Sequence, residues 1–391
     1  MLKKVLAICP EFNEEFVRYQ PWKQIHQLGK QMIALGIQFV IATNATNLYE
    51  IDGIKILKLN DKKLRELSEV SIKKICEYNP EIIFWQGNPL SGTYIKKNNL
   101  NGIPIVVYIS TVHMLWNELK NLKIKEIFPS NIINFFTSFW PFSTLVKNLN
   151  HSTITKIIVP NNSVFQRLVK LGVNNNKILQ APLCFQSDVN ADLITNPLKS
   201  TKPFVLCYLG PSYSIRGTDI LFDSVEELVK SGYDVKLLFL LRSPNPNTEK
   251  IFFEKLSQKK SIADNVVIKA GFLTKDELNK NILSSNLVVI PTKFVWNEPP
   301  LAILETMNLG VPVVASDVCG LSELISDNGF LIKPTSESLT NFIKDVFNNP
   351  KILTQAGEKG KNYVNSLPGW NKMTEWTIEA FESIKHVEDN E

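Results

Sequence analysis

A chain of 391 residues is longer than a single hydrophobic core usually extends, so two domains are expected. With 44% hydrophobic and 21% charged residues, the composition excludes an intrinsically disordered chain. The net charge of +5 is unevenly placed. Residues 1–195 carry 22 Lys and Arg against 14 Asp and Glu, and the remainder carries 21 against 24. The basic first half suits an anionic partner such as phospholipid headgroups, nucleic acid or a phosphorylated acceptor, or else reflects solvated lysine on helix faces.

Met1 to Pro10 has a basic tip and a short apolar run. Glu11, Glu14 and Glu15 follow where a cleavage site of small residues would be needed, so the run reads as a first buried strand and not as a signal peptide. No apolar stretch approaches the ~20 residues that span a bilayer. The five cysteines (Cys9, Cys76, Cys184, Cys207 and Cys319) and the four histidines are scattered. That pattern fits neither a disulfide framework nor a zinc site, and the cysteines read as small buried hydrophobes.

Apolar β-branched runs then alternate with segments of helical period. Strands are predicted at 4–9, 38–42, 54–57, 82–85, 105–109 and 156–159, with helices at 21–35 and 61–77 among them. Between the fifth and sixth strands, Phe128, Ile132, Phe135, Phe136 and Phe139 share one helical face. That stripe could pack in the core or lie in a membrane interface. Residues 186–203 are polar and rich in turn formers, with Pro197 and Pro203, and read as a linker. The pattern restarts with strands at 204–209, 235–241, 266–269, 287–290, 313–315 and 329–332 and helices at 218–230, 275–283 and 301–309. Alternation of this kind means parallel sheets with crossover helices. Two tandem doubly wound Rossmann-like α/β domains would face each other across a ligand-binding cleft.

The segment EPPLAILETMNLGVPVVASDVCGLSEL, residues 298–324, concentrates the chemistry. Pro299 and Pro300 stand where a helix can begin without losing a bonded N–H. The helix N-terminus offers free amides and a positive dipole end to a phosphate. Glu298 precedes that end and Glu305 lies one to two turns inside, where carboxylates can accept vicinal hydroxyls.

These residues resemble the sugar-nucleotide segment of retaining glycosyltransferases of the GT-B fold, family four of the glycosyl transferases group 1. That pattern is a glutamate, seven residues, a second glutamate, then Ala-Met, Gly-x-Pro-Val-Val-Ala-Ser, a Gly and a further glutamate. Glu305, Thr306, Met307, Gly310, Pro312, Ser316, Gly320 and Glu323 match it. Ungapped, the first glutamate falls on Asn297. With a loop one residue shorter it falls on Glu298, the residue expected to contact the donor sugar. FVLCYLGPSYSIRGTDILFDS, residues 204–224, resembles the family's strand, Gly-Arg, loop, Lys-Gly, helix unit. Arg216 would there grip a diphosphate beside Gly210, Pro211 replaces a second cation, and Arg242 could supply the missing charge. By the same resemblance, backbone groups at Gly271 and Phe272 would pair with the base, and His113 would lie beside the donor sugar. Residues 157–183 also resemble the family; the rest of the first half matches poorly.

The resemblance implies an N-terminal acceptor-binding domain (1–190), a C-terminal nucleotide-sugar domain (200–370) and a last helix (371–391) crossing back to the first. The expected activity is retaining, hexosyl-type transfer from a UDP- or GDP-sugar to a hydroxyl of a glycan or glycolipid, in cell-surface polysaccharide or glycolipid synthesis. No cofactor or nucleic-acid partner is expected, and no metal either, since no Asp-x-Asp occurs to hold a divalent ion. Arg216, Pro300, Leu301 and Glu305 would carry the donor. The expected place of action is the cytoplasm, peripherally on the anionic inner face of the membrane. A decayed, non-catalytic subunit on the same fold is the alternative, followed by a sugar-nucleotide epimerase or hydrolase.

Overall fold

The computed structural model describes residues 1–64, 66–98, 100–111, 114–119, 122, 142–187, 202–241, 246–271 and 273–388. The first sheet comprises β1 (Lys4–Ile8), β2 (Gln38–Thr43), β3 (Glu50–Ile51), β4 (Ile54–Lys58), β5 (Ile82–Gly87), β6 (Ile105–Ile109), β7 (Ile154–Val159) and β8 (Ile178–Gln180). Their spatial order is β3-β4-β2-β1-β5-β6-β7-β8. All neighbours are parallel except the β3–β4 pair. The second sheet comprises β9 (Phe204–Gly210), β10 (Val235–Leu241), β11 (Val266–Ala270), β12 (Leu287–Ile290), β13 (Val313–Ser316) and β14 (Phe330–Ile332). It is wholly parallel, in the order β11-β10-β9-β12-β13-β14. Each sheet winds outward in both directions from its first strand. The reversal leaves a crevice at the carboxyl ends of the two central strands.

Strands buried on both faces by crossover helices read as continuous apolar runs, which is why they were legible in sequence. Alternate residues serve opposite faces. Leu6 and Ile8 join one core with Ile83, Trp85 and Val107, while Val5 and Ala7 join another with Phe39, Ile41, Phe84 and Tyr108. That second core is closed by Ile25, Leu28 and Met32 of helix Trp22–Ala34 and by Trp370, Met373, Phe381 and Ile384 of helix Trp370–Glu388. Phe381 is fully buried, with its ring centroid 5.6 Å from that of Phe84. Burying such a side chain contributes about 1.5–3 kcal/mol. The last helix thus rests on the first sheet. Its Glu382 accepts a hydrogen bond from the Leu2 amide at 2.8 Å. The chain crosses between the domains twice, and the crossings touch where the Phe185 amide donates to the Pro368 carbonyl at 3.0 Å.

The strands expected from the sequence form within two residues of their expected bounds. β3 and β8, of two and three residues, are too short to show a period. The helix expected at 61–77 begins only at Glu69, because the Ser68 hydroxyl accepts from the Ser71 amide and caps it. Asp61 instead accepts from the Ser68 amide, and Leu64 and Leu67 are buried ahead of the helix. Helices Pro246–Gln258, Ser336–Asn348 and Lys351–Ser366 complete the second domain and were not anticipated. The phenylalanine stripe at 128–139 lies outside the described residues, as does most of the expected linker.

Candidate functional site

The crevice of the second sheet opens between the loop after β9 and the loop after β12. β9 ends on Gly210 (φ 144°), and a short helical turn, Ser214–Arg216, leads to Gly217 (φ 79°) and helix Thr218–Lys230. A Cβ on Gly217 would stand 1.9 Å from the Pro291 carbonyl oxygen, so only glycine lets these loops approach this closely. The loops are also stitched together. The Lys293 amide donates to the Ile215 carbonyl at 2.8 Å, the Thr292 hydroxyl lies 3.3 Å from the same carbonyl, and the Lys293 ammonium meets Asp219 at 2.8 Å. Arg216 is held between these contacts and lines the crevice.

Helix Leu301–Asn308 forms the facing wall. It starts after Pro300, which has extended backbone and offers no side-chain cap, and it has no acidic residue in its first turn. The Leu301 and Ala302 amides, at the positive end of the helix, are therefore free of intrahelical partners. Pro300, Leu301, Ala302 and Glu305 all line the same cavity, of about 710 Å³. A third wall comes from Gly271 (φ 101°), Leu273, Thr274 and Lys275. There Thr274 and Glu277 cap helix Lys275–Leu283 reciprocally.

The first domain supplies the opposite side through Tyr19, Gln20, Lys23, His26 and Gln27. Lys23, His26 and Gln27 are spaced i, i+3, i+4 and so share a face of helix Trp22–Ala34. Lys23 Nζ lies 3.7 Å from Glu305 Oε1, an ion pair across the cleft. His26 Nε2 lies 3.1 Å from Asp52 Oδ2. Burial holds the imidazole below its ordinary pKa, against the pull of Asp52. These first-domain residues were not identified from the sequence. The polar spacing on an amphipathic helix was the available signal, and it also fits ordinary solvent exposure.

Asn297 and Glu298 part company at the seam between the domains. Asn297 pairs with Thr111 in an isolated antiparallel bridge, its side chain accepts from the Thr111 hydroxyl at 3.1 Å, and it lines the cavity. Glu298, whose amide donates to the Ser110 carbonyl at 3.0 Å, is fully buried and absent from the cavity wall. Its Oε1 accepts the Gly320 amide at 3.0 Å. Burial, joined by the nearby Glu323 carboxylate, pushes the Glu298 carboxyl up to about 7, against the Gly320 amide and the Arg167 guanidinium. The expected contact between Glu298 and a donor sugar does not fit this placement. The chain bends at Glu298 directly after the Asn297 bridge, and here it is Asn297 that faces the cleft.

Gly210, Arg216, Gly271, Pro300, Leu301 and Glu305 thus share one cavity. His113, Phe272 and Arg242 lie outside the described residues. Glu323 crosses to the first domain, where its carboxylate accepts from the Asn162 amide at 2.9 Å and from the Ser163 amide. No cluster of three His, Cys, Asp or Glu side chains suited to a metal occurs among the described residues. Likewise, no helix among them is long and apolar enough to cross a membrane.

Residues 203–349 match the family model described as glycosyl transferases group 1. Alpha-D-kanosaminyltransferase of Streptomyces kanamyceticus is 27% identical over 160 residues, which cover 40% of this chain and 39% of that relative. Sucrose-phosphate synthase from Thermosynechococcus elongatus superposes with a TM-score of 0.73 at 16% identity, over 98% of this chain and 100% of that one. Anabaena HepE in complex with UDP gives 0.71 at 14% identity, over 97% and 100%. The chain has the two-domain GT-B fold, and the greater part of its second domain is similar to the glycosyl transferases group 1.

Proposed function

We propose that the protein is a retaining, metal-independent glycosyltransferase that moves a hexosyl group from a nucleoside-diphosphate donor to a hydroxyl acceptor. One observation carries the reading: Arg216, the amide end of helix Leu301–Asn308 and Glu305 converge on one cavity at the reversal point of the second sheet. Glu305 would accept the ribose hydroxyls. The diphosphate would lie between the Arg216 guanidinium, which can bind it bidentately, and the Leu301 and Ala302 amides. Preorganised donors of this kind stabilise charge on a leaving group without a metal. The base would lie toward Gly271, and Asn297 beside the sugar. As the bond from the anomeric carbon to the diphosphate oxygen breaks, the acceptor hydroxyl attacks from the same face. Its proton passes to the departing phosphate, so configuration is retained.

The basic first half fits an acceptor presented at an anionic surface. Glycan or glycolipid assembly on the inner face of a membrane is therefore the proposed setting. A thermal-shift series with UDP, GDP, ADP and their common sugar conjugates tests the donor site. Stabilisation by one nucleotide, lost in Glu305→Ala, is expected. No stabilisation by any of them would favour a non-catalytic subunit on the same fold.

A further inference from the structure

We infer that Lys23 is a cation which the first domain contributes to the donor's diphosphate, and which Glu305 hands over when it takes the ribose. The inference rests on the donor reading above. Lys23 Nζ and Glu305 Oε1 are 3.7 Å apart and belong to different domains. That separation is an ion pair without a close hydrogen bond, a weak contact that a better partner displaces. A vicinal diol offering two hydrogen bonds to the carboxylate is such a partner. The Lys23 side chain is only 13% exposed, so an ammonium displaced from Glu305 would stay poorly hydrated and without a counter-charge. That arrangement is costly unless another anion takes the place of the carboxylate.

The second partner is within reach. Glu305 stands four residues after Leu301, the first residue of its helix, hence about 6 Å along the axis from the amides that would hold phosphate. A lysine stem of four carbons can swing over that span. Among the described residues lining the cavity, Lys23 is the cation of permanent charge that comes from the first domain, while Arg216 and Lys275 come from the second. A nucleoside diphosphate therefore meets cations from both sides, and Lys23 makes the cleft discriminate diphosphate from monophosphate.

Isothermal titration of wild type, Lys23→Ala and Lys23→Arg with UDP, GDP and ADP, each beside its monophosphate, tests this assignment. Lys23→Ala is expected to lose about tenfold in diphosphate affinity. Its monophosphate affinity should hold or rise, because Glu305 has lost a competitor, and Lys23→Arg should keep the diphosphate preference. An unchanged ratio of diphosphate to monophosphate affinity in Lys23→Ala, or an equal loss for both ligands, would overturn the role of Lys23 while leaving the donor site standing. Failure of wild type to bind any of the three diphosphates would instead remove the donor reading, and this inference with it.

Discussion

Glu298 and Gly320 meet at the seam of the two domains, the carboxylate accepting the glycine amide at 3.0 Å with no exposure of the glutamate to solvent. The fit there is tight: a Cβ on Gly320 would lie 2.5 Å from Asn161 Nδ2 of the first domain, so any larger residue would displace that side chain. The contact makes the seam sensitive to pH. The Glu298 carboxyl has an ordinary value of 4.5, and in the folded protein burial raises it to about 7. The folded state therefore holds this proton more tightly than the unfolded chain. The resulting stabilisation is complete below pH 4.5 and is lost as pH rises through 7, a change on the order of 3 kcal/mol. Glu298→Gln keeps an oxygen for Gly320 and cannot ionise. Its Tm should fall less than that of wild type between pH 4.5 and 7, as measured by calorimetry in matched buffers. Parallel profiles for the two proteins would show that folding leaves the proton affinity of Glu298 unchanged.

Glu323 caps a helix that belongs to the other domain. Asn161 satisfies the Val164 amide at 3.0 Å, while Glu323 satisfies those of Asn162 and Ser163. Amides at a helix start have no partners within the helix, so Glu323→Ala returns two of them to solvent. Hydrogen exchange at 162 and 163 should accelerate about tenfold, with strands β1 and β9 unchanged. Acceleration throughout both sheets would mean that the substitution had lowered global stability instead.

Gly217→Ala combines a positive φ with a clash against the Pro291 carbonyl. A loss of about 2 kcal/mol or more is expected in urea unfolding. Nucleotide binding should weaken as well, because the turn that carries Arg216 must shift. Gly53, also at positive φ but with nothing within 4 Å of its Cβ position, is the control: Gly53→Ala should incur only the conformational cost.

Arg216→Ala should lower kcat/KM for transfer by at least about a hundredfold, the scale seen when one charge-stabilising donor is removed from a transition state. Arg216→Lys keeps the charge without the planar fork and should fall between the two. Steady-state release of nucleoside diphosphate measures both variants. Equal rates in all three proteins would remove Arg216 from the chemistry.

Most of the scaffold could be read from the chain because parallel strands buried on both faces are continuous apolar runs, as in residues 237–241. Arg216, Pro300, Leu301 and Glu305 could be picked out for a related reason. The first three sit in a loop or first turn at the end of such a run, where the fold leaves backbone groups unpaired, and Glu305 follows one turn into the same helix. Choosing between Asn297 and Glu298 was beyond sequence reasoning, since the outcome rests on the bridge from Asn297 to Thr111, 186 residues away. Lys23 and Glu323 owe their positions to contacts between domains. Nothing local to a helix at residue 22 signals a carboxylate at residue 305.

The hydrogen bond from Phe185 to Pro368 joins the two segments that connect the domains. Two ribbons pinned side by side cannot shift independently, so the joints that set Lys23 and Glu305 facing each other act as one joint instead of two.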